Sequence, residues 1–119
     1  MLHSEQSPFQ KIEVFEHEVF GRVLTLDDLV QASHADEFMY HEMAVHVPLL
    51  GRKREKAEVL IVGGGDGGIL REALRHEFVT RVVMVEIDER VIEVSKEYLG
   101  INGDYSDPRV ELIIGDAAQ

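Results

Sequence analysis

Hydrophobic and polar positions divide the chain into two rhythms. From Lys11 to Phe20 the chain alternates, with Ile12, Val14 and then Phe15 apolar between polar neighbours. Arg22-Val23-Leu24-Thr25-Leu26 follows, then an Asp27-Asp28 turn, then Leu29-Val30-Gln31-Ala32. This period of two predicts two or three short antiparallel strands, joined at Gly21 and at the aspartate pair. Asp36 then reads as an N-cap. Phe38, His41, Glu42, Val45 and Leu49 recur at helical spacing, flanked by a stripe of Met39, Met43 and His46. Pro48 and Gly51 are expected to end or bend that helix. The methionine stripe is expected in the core. The basic run Arg52 to Lys56 reads as a solvated connector.

From Glu58 the rhythm changes. Val59-Leu60-Ile61-Val62 is a continuous β-branched run, the pattern of a parallel strand buried on both faces. A glycine loop and a helix from about Gly68 to His76 follow. Arg81 to Glu86 is a second such strand. Asp88 opens a second helix through Leu99, and a loop with Gly100, Gly103 and Asp107-Pro108 leads to a third strand, Val110 to Ile114. The order β-α-β-α-β is the first half of a doubly wound sheet, so the chain is expected to be α/β, with a β module over residues 1–35 and the helix plus partial nucleotide-binding domain over 36–119.

The chemistry centres on Gly63-Gly64-Gly65-Asp66-Gly67-Gly68. Gly63, Gly65 and Gly68 form a G-x-G-x-x-G pattern between strand and helix, where glycines let the chain turn and a ligand approach the backbone. Glu86 ends the next strand, 18 residues after Gly68, where an acid accepts hydrogen bonds from ribose hydroxyls. Asp66 decides between ligands. A dinucleotide would place its pyrophosphate on the helix start. A carboxylate a few ångströms away repels it by several kcal/mol, taking an effective dielectric of about 20. The same carboxylate attracts a cation, so a sulfonium nucleoside carrying an ammonium, the S-adenosylmethionine type, fits better than NAD. Asp66 also suits a helix cap, and the two roles are compatible. Asp88 reads as the N-cap of its helix. Asp116, past the third strand, is placed to accept a hydrogen bond from an adenine amino group, or to be a solvated loop end.

Charge and composition narrow the partners. The 119 residues carry a net charge of −11, of which −7 falls in residues 1–50. Duplex nucleic acid and anionic membrane are poor partners for that charge. Without cysteine there are no disulfides, thiolate metal sites or cysteine nucleophiles. No apolar run approaches 18 residues and no signal-peptide pattern opens the chain, so the expected location is cytoplasmic. His41, Glu42 and His46 are discounted as a metal site because histidines at i, i+5 do not share a helix face.

Five segments together carry a family resemblance: Phe20 to Asp27, Asp36 to Met43, His46-Val47-Pro48, Gly63 to Gly68, and Val85-Glu86-Ile87-Asp88. They resemble spermidine synthase, of the polyamine aminopropyltransferases. The resemblance implies a small β domain used in oligomer contacts, dimeric or tetrameric, on a Rossmann-like domain of the class I methyltransferase type. It implies aminopropyl transfer from decarboxylated S-adenosylmethionine to putrescine, giving spermidine and methylthioadenosine, with no further cofactor. Matched by motif, Gln10 resembles a nucleoside contact, Tyr40 and His41 line the amine channel, Asp66 grips the aminopropyl ammonium, Glu86 holds the ribose, and Asp116 with Ala117 lies beside the adenine. Gln31 matches a family position without an assigned role. Family chains are more than twice as long, and their proton-accepting aspartate falls beyond Gln119. The chain is therefore expected to be truncated and inactive alone. The alternatives are a methyltransferase fragment and a non-catalytic binding or oligomerisation module with open sheet edges.

Overall fold

The computed structural model describes residues 1–50, 56–101 and 103–118. Four strands, β1 (His3–Gln6), β2 (Lys11–His17), β3 (Gly21–Leu26) and β4 (Leu29–Ser33), form an antiparallel meander in chain order. That is one strand more than the alternation predicts, because His3–Gln6 is too short and polar to show it. Asp27 and Asp28 both take positive φ, 49° and 66°, closing the two-residue β3–β4 hairpin. The turn is fastened by Lys11, whose backbone N–H donates to Asp27 Oδ1 at 2.8 Å and whose ammonium pairs with Asp28 at 2.8 Å.

Helix α1 (Glu37–Leu50) follows, then β5 (Ala57–Val62), α2 (Gly68–Leu74), β6 (Val79–Glu86), α3 (Glu89–Val94) with a π-helical turn Ser95–Leu99, and β7 (Val110–Ile114). The expected α/β order is thus present, with minor shifts of element ends. β5, β6 and β7 pair in parallel, side by side in chain order. Right-handed crossovers between sequential parallel strands put α2 and α3 on one face. There Val45, Ile61, Leu70, Ala73, Val82, Met84 and Ile92 form a common core.

The opposite face is bare, which corrects the expectation that these strands are buried on both sides. Leu60 and Val62 on β5 are each 66% exposed, and Ile113, in register with Val62 through Val85, is 42% exposed. The continuous apolar run is real, but the described residues place no helix against its second face.

Helix α1 runs through Pro48 as far as Leu50, so Pro48 does not end it. Gly51 and the basic run as far as Glu55 lie outside the described residues. Asp36 does sit before the first turn, but its carboxylate accepts from Ser33 Oγ instead of capping backbone amides. The methionine stripe also faces solvent, with Met39 and Met43 57% and 66% exposed, because His41 and Val45 take the buried line.

The β meander is packed on α3. Ile12, Val14, Leu24 and Ala32 share a core with Val91, Val94, Leu99 and Ile101. Arg22 and His34 donate to the carbonyls of Tyr98 and Leu99, satisfying the end of the π-helical turn. Ser7 Oγ donates to Asp88 Oδ2 at 2.5 Å, and Asp88 Oδ1 accepts from Arg90 N–H as the N-cap of α3. Asp88 is 1% exposed. Ser7→Ala leaves that buried carboxylate one donor short and is expected to cost about 1–3 kcal/mol. The check is urea denaturation, with a lowered midpoint at unchanged slope.

Candidate functional site

The carboxyl ends of β5, β6 and β7 gather the residues singled out in the sequence. This is the crevice where open α/β sheets bind ligands. A small cavity of about 240 Å³ is lined by Gln10, Leu24, Leu26, Gln31, Gly63 to Asp66, Glu86 and Val91. On one side Gln31, Gly64 and Asp66 also border an open groove of about 910 Å³ that runs along Tyr40, His41 and Ala44 of α1. A third cavity, about 570 Å³, lies between Pro8-Phe9 and Ile87 to Arg90 and reaches Ile114, Gly115 and Asp116.

Space and backbone conformation both explain the glycine spacing. Gly63 takes φ +81°, turning the chain off β5. Gly65 passes Glu86 so closely that a Cβ there would lie 2.8 Å from its Oε1. Gly68 opens α2 against the His41 ring, where a Cβ would lie 2.0 Å from ring atoms.

Asp66 Oδ1 accepts from Gly68 N–H at 2.8 Å and lies 3.3 Å from His41 Nε2. Asp66 sits one residue before the N-cap, which is Gly67, so its carboxylate braces the turn into α2 without capping the helix, and Oδ2 has no partner among the described residues. Burial works against the Asp66 charge, but His41, the Gly68 amide and Arg71 outweigh it and hold its pKa below the ordinary value. Glu86 behaves oppositely. It is buried, has no hydrogen-bond donor among the described residues, and faces Asp88 and Asp66. Burial first, and those two carboxylates second, push its pKa up to about 7.

Gln10 reaches the cavity wall, with its amide nitrogen donating to Asp88 Oδ2 at 3.1 Å. Its Oε1 carries no described bond. Tyr40 and His41 diverge. Tyr40 is 68% exposed on the groove, whereas His41 is 1% exposed and locked between Glu37 and Asp66. Asp116 and Ala117 are exposed beyond β7, and Asp116 Oδ1 accepts from Ala118 N–H. Asp116 borders the third cavity, and Ala117 borders none of the three.

Sequence reasoning missed Glu37, Arg71 and Glu72. Arg71 forks onto both Glu37 oxygens at 2.8 and 2.9 Å and reaches Glu72 with Nε at 2.9 Å. Glu72 is fully buried and also takes His46 Nε2 at 2.8 Å and Arg75 at 3.1 Å. The available signal was the i, i+4 spacing of Glu37 and His41. The partners on α2 lie 34 and 35 residues away, and no spacing rule finds them.

Comparison with known proteins places this geometry in a family. Residues 37–119 match the spermine/spermidine synthase domain, and residues 1–34 match the spermidine synthase tetramerisation domain. The chain belongs to the spermine/spermidine synthase family. It is 55% identical over 113 residues to a polyamine aminopropyltransferase of Thermoanaerobacter sp. (strain X514), covering 94% of this chain and 40% of that one. Against a polyamine aminopropyltransferase of Ruegeria sp. (strain TM1040) it is 50% identical, over 99% of this chain and 42% of the relative. Its fold superimposes on the crystal structure of spermidine synthase from Thermotoga maritima with a TM-score of 0.91 at 43% identity, covering 98% of this chain and 41% of that chain. A spermidine synthase crystallised with the transition-state analogue AdoDATO matches equally well. The chain thus spans about 40% of the length of the relatives it matches.

Proposed function

We propose that this chain forms the nucleoside-binding half of an aminopropyl-transfer site, holding decarboxylated S-adenosylmethionine for attack by a diamine such as putrescine. The observation that carries this reading is the charge of the glycine-loop cavity. Its lining includes the carboxylates of Asp66 and Glu86 and neither lysine nor arginine. A pyrophosphate would be repelled there, and a cationic nucleoside attracted.

In this reading the nucleobase occupies the cavity beside Ile87 and Asp116, Glu86 takes the ribose hydroxyls, and Gln10 Oε1 adds an acceptor. Asp66 receives the aminopropyl ammonium, and the groove along Tyr40 admits the diamine. The unprotonated amine attacks the carbon next to sulfur in line. A C–N bond forms, the C–S bond breaks with its electron pair leaving on sulfur as methylthioadenosine, and the amine loses a proton. These residues contribute positioning and charge, and no cofactor is required. The matching tetramerisation domain supports an oligomer.

Calorimetric titration tests the reading. The wild-type chain is expected to bind decarboxylated S-adenosylmethionine more tightly than S-adenosylmethionine, whose α-carboxylate falls near Asp66. Asp66→Asn is expected to weaken the first ligand by about tenfold to a hundredfold and to narrow the gap. Tighter binding of the carboxylate-bearing nucleoside by wild type would favour a methyltransferase and overturn the proposal.

A further inference from the structure

His41 has two carboxylates and one ring. Nδ1 lies 2.5 Å from Glu37 Oε2, and Nε2 lies 3.3 Å from Asp66 Oδ1. A neutral imidazole has a single N–H and would turn a lone pair toward one of these anions; only the imidazolium donates to both. The ring cannot rotate out of this arrangement. It is 1% exposed and backed by Gly68, with no room for even one added methyl. Glu37 cannot turn away either, since Arg71 grips both of its oxygens and is itself tied to buried Glu72. Charge therefore alternates from the glycine loop across two helices: Asp66, His41, Glu37, Arg71, Glu72.

We propose that Glu37 is a positioning residue of the site. Held by Arg71, it keeps His41 doubly protonated, and His41 in turn pins Asp66 Oδ1, leaving Oδ2 for the ligand's ammonium. The clause about the ammonium rests on the aminopropyl-transfer reading; the clamp itself does not. The groups facing His41 are Glu37 and Tyr40 on its own helix, Asp66 in the loop and, through Glu37, Arg71 on α2. Burial disfavours the imidazolium, and the bonds to Asp66 and Glu37 outweigh that and raise its pKa above the ordinary value. The carboxylates at either end are shifted the other way, both below their ordinary values despite burial.

The arrangement is tested on the free chain by nitrogen-15 NMR of the His41 ring across pH, with carbon-13 NMR of the Asp66 carboxyl. In wild type the ring is expected to be doubly protonated at pH 7. In Glu37→Gln its midpoint is expected to fall by about one unit or more, and that of Asp66 to rise. Glu37→Asp, which keeps the charge, is expected to restore part of both shifts. A neutral His41 in wild type at pH 7 overturns the proposal, as does a Glu37→Gln variant with both titrations unmoved. Should Glu37→Gln fail to fold, the wild-type spectrum still decides between imidazolium and neutral ring. None of these readouts needs a ligand. Failure of nucleoside binding would therefore overturn the functional reading and leave the clamp intact, while a neutral ring would do the reverse.

Discussion

Gly68→Ala is expected to destabilise the chain by about 3 kcal/mol, the upper part of the range for overpacking a tight core. For a domain of this size that is on the order of 10 °C in Tm. Helix propensity argues the other way. Gly68 is the first residue of α2, and alanine is favoured over glycine in a helix by up to about 1 kcal/mol. Space decides the sign. The added Cβ would lie 2.0 Å from two atoms of the His41 ring. A surface side chain would swing aside at small cost. This ring is buried and held at both nitrogens, so either α1 or the glycine loop must shift, and the His41–Asp66 contact is lost with it. Gly115→Ala is the control, because nothing lies within 4 Å of its Cβ position, and a change within about 0.5 kcal/mol is expected. Thermal unfolding of the two variants against wild type is the check. A stabilised Gly68→Ala would show that the loop yields freely and that His41 is not locked.

Much of the fold was legible because each signal was local. The parallel strands announced themselves as β-branched runs, the β7 range was read to the residue, and Asp88 was recognised as an N-cap from position alone. The glycine loop and Glu86 were legible for the same reason: strand, turn, helix and terminal acid follow one another in the chain. What was not legible depends on contacts between distant segments. Whether Leu60 and Val62 are covered depends on where helices pack, and a hydrophobic run alone does not reveal that its second face is bare. The methionines on α1 were expected inside because their spacing is helical. Spacing gives two stripes, however, and only packing of His41 and Val45 selects which one is buried. The Arg71–Glu37–His41–Asp66 chain joins α1, the loop and α2, so Glu37 and Arg71, ordinary residues in the sequence, meet the site only in three dimensions.

Nucleoside affinity is expected to depend on pH through Glu86. Its carboxyl is pushed up to about 7 by burial, then by Asp88 and Asp66. The sign follows from the chemistry of each protonation state. A ribose diol donates hydrogen bonds, and a carboxylate accepts both, whereas a protonated acid has one acceptor oxygen and a competing O–H. A cationic ligand also favours the ionised form. Binding therefore lowers the pKa of Glu86 and releases a proton whenever the free acid is protonated. By linkage, the Kd of decarboxylated S-adenosylmethionine should rise about tenfold for each pH unit below 7, until the pKa of the bound state is reached. The neighbours do not mask this window. Asp66 is held below its ordinary value and stays ionised, and His41 is raised and stays cationic on the acid side. The free chain should show the complementary trend. A carboxyl whose folded pKa is raised contributes stability below its ordinary value of 4.5, and loses it as pH rises through about 7. Titration calorimetry between pH 5.5 and 8 on wild type and Glu86→Gln measures the binding arm. Glu86→Gln should bind weakly with a flat profile. A wild-type Kd constant across that range, with Glu86→Gln binding as tightly as wild type, would mean that Glu86 does not meet the ribose, and the proposed placement of the nucleoside fails.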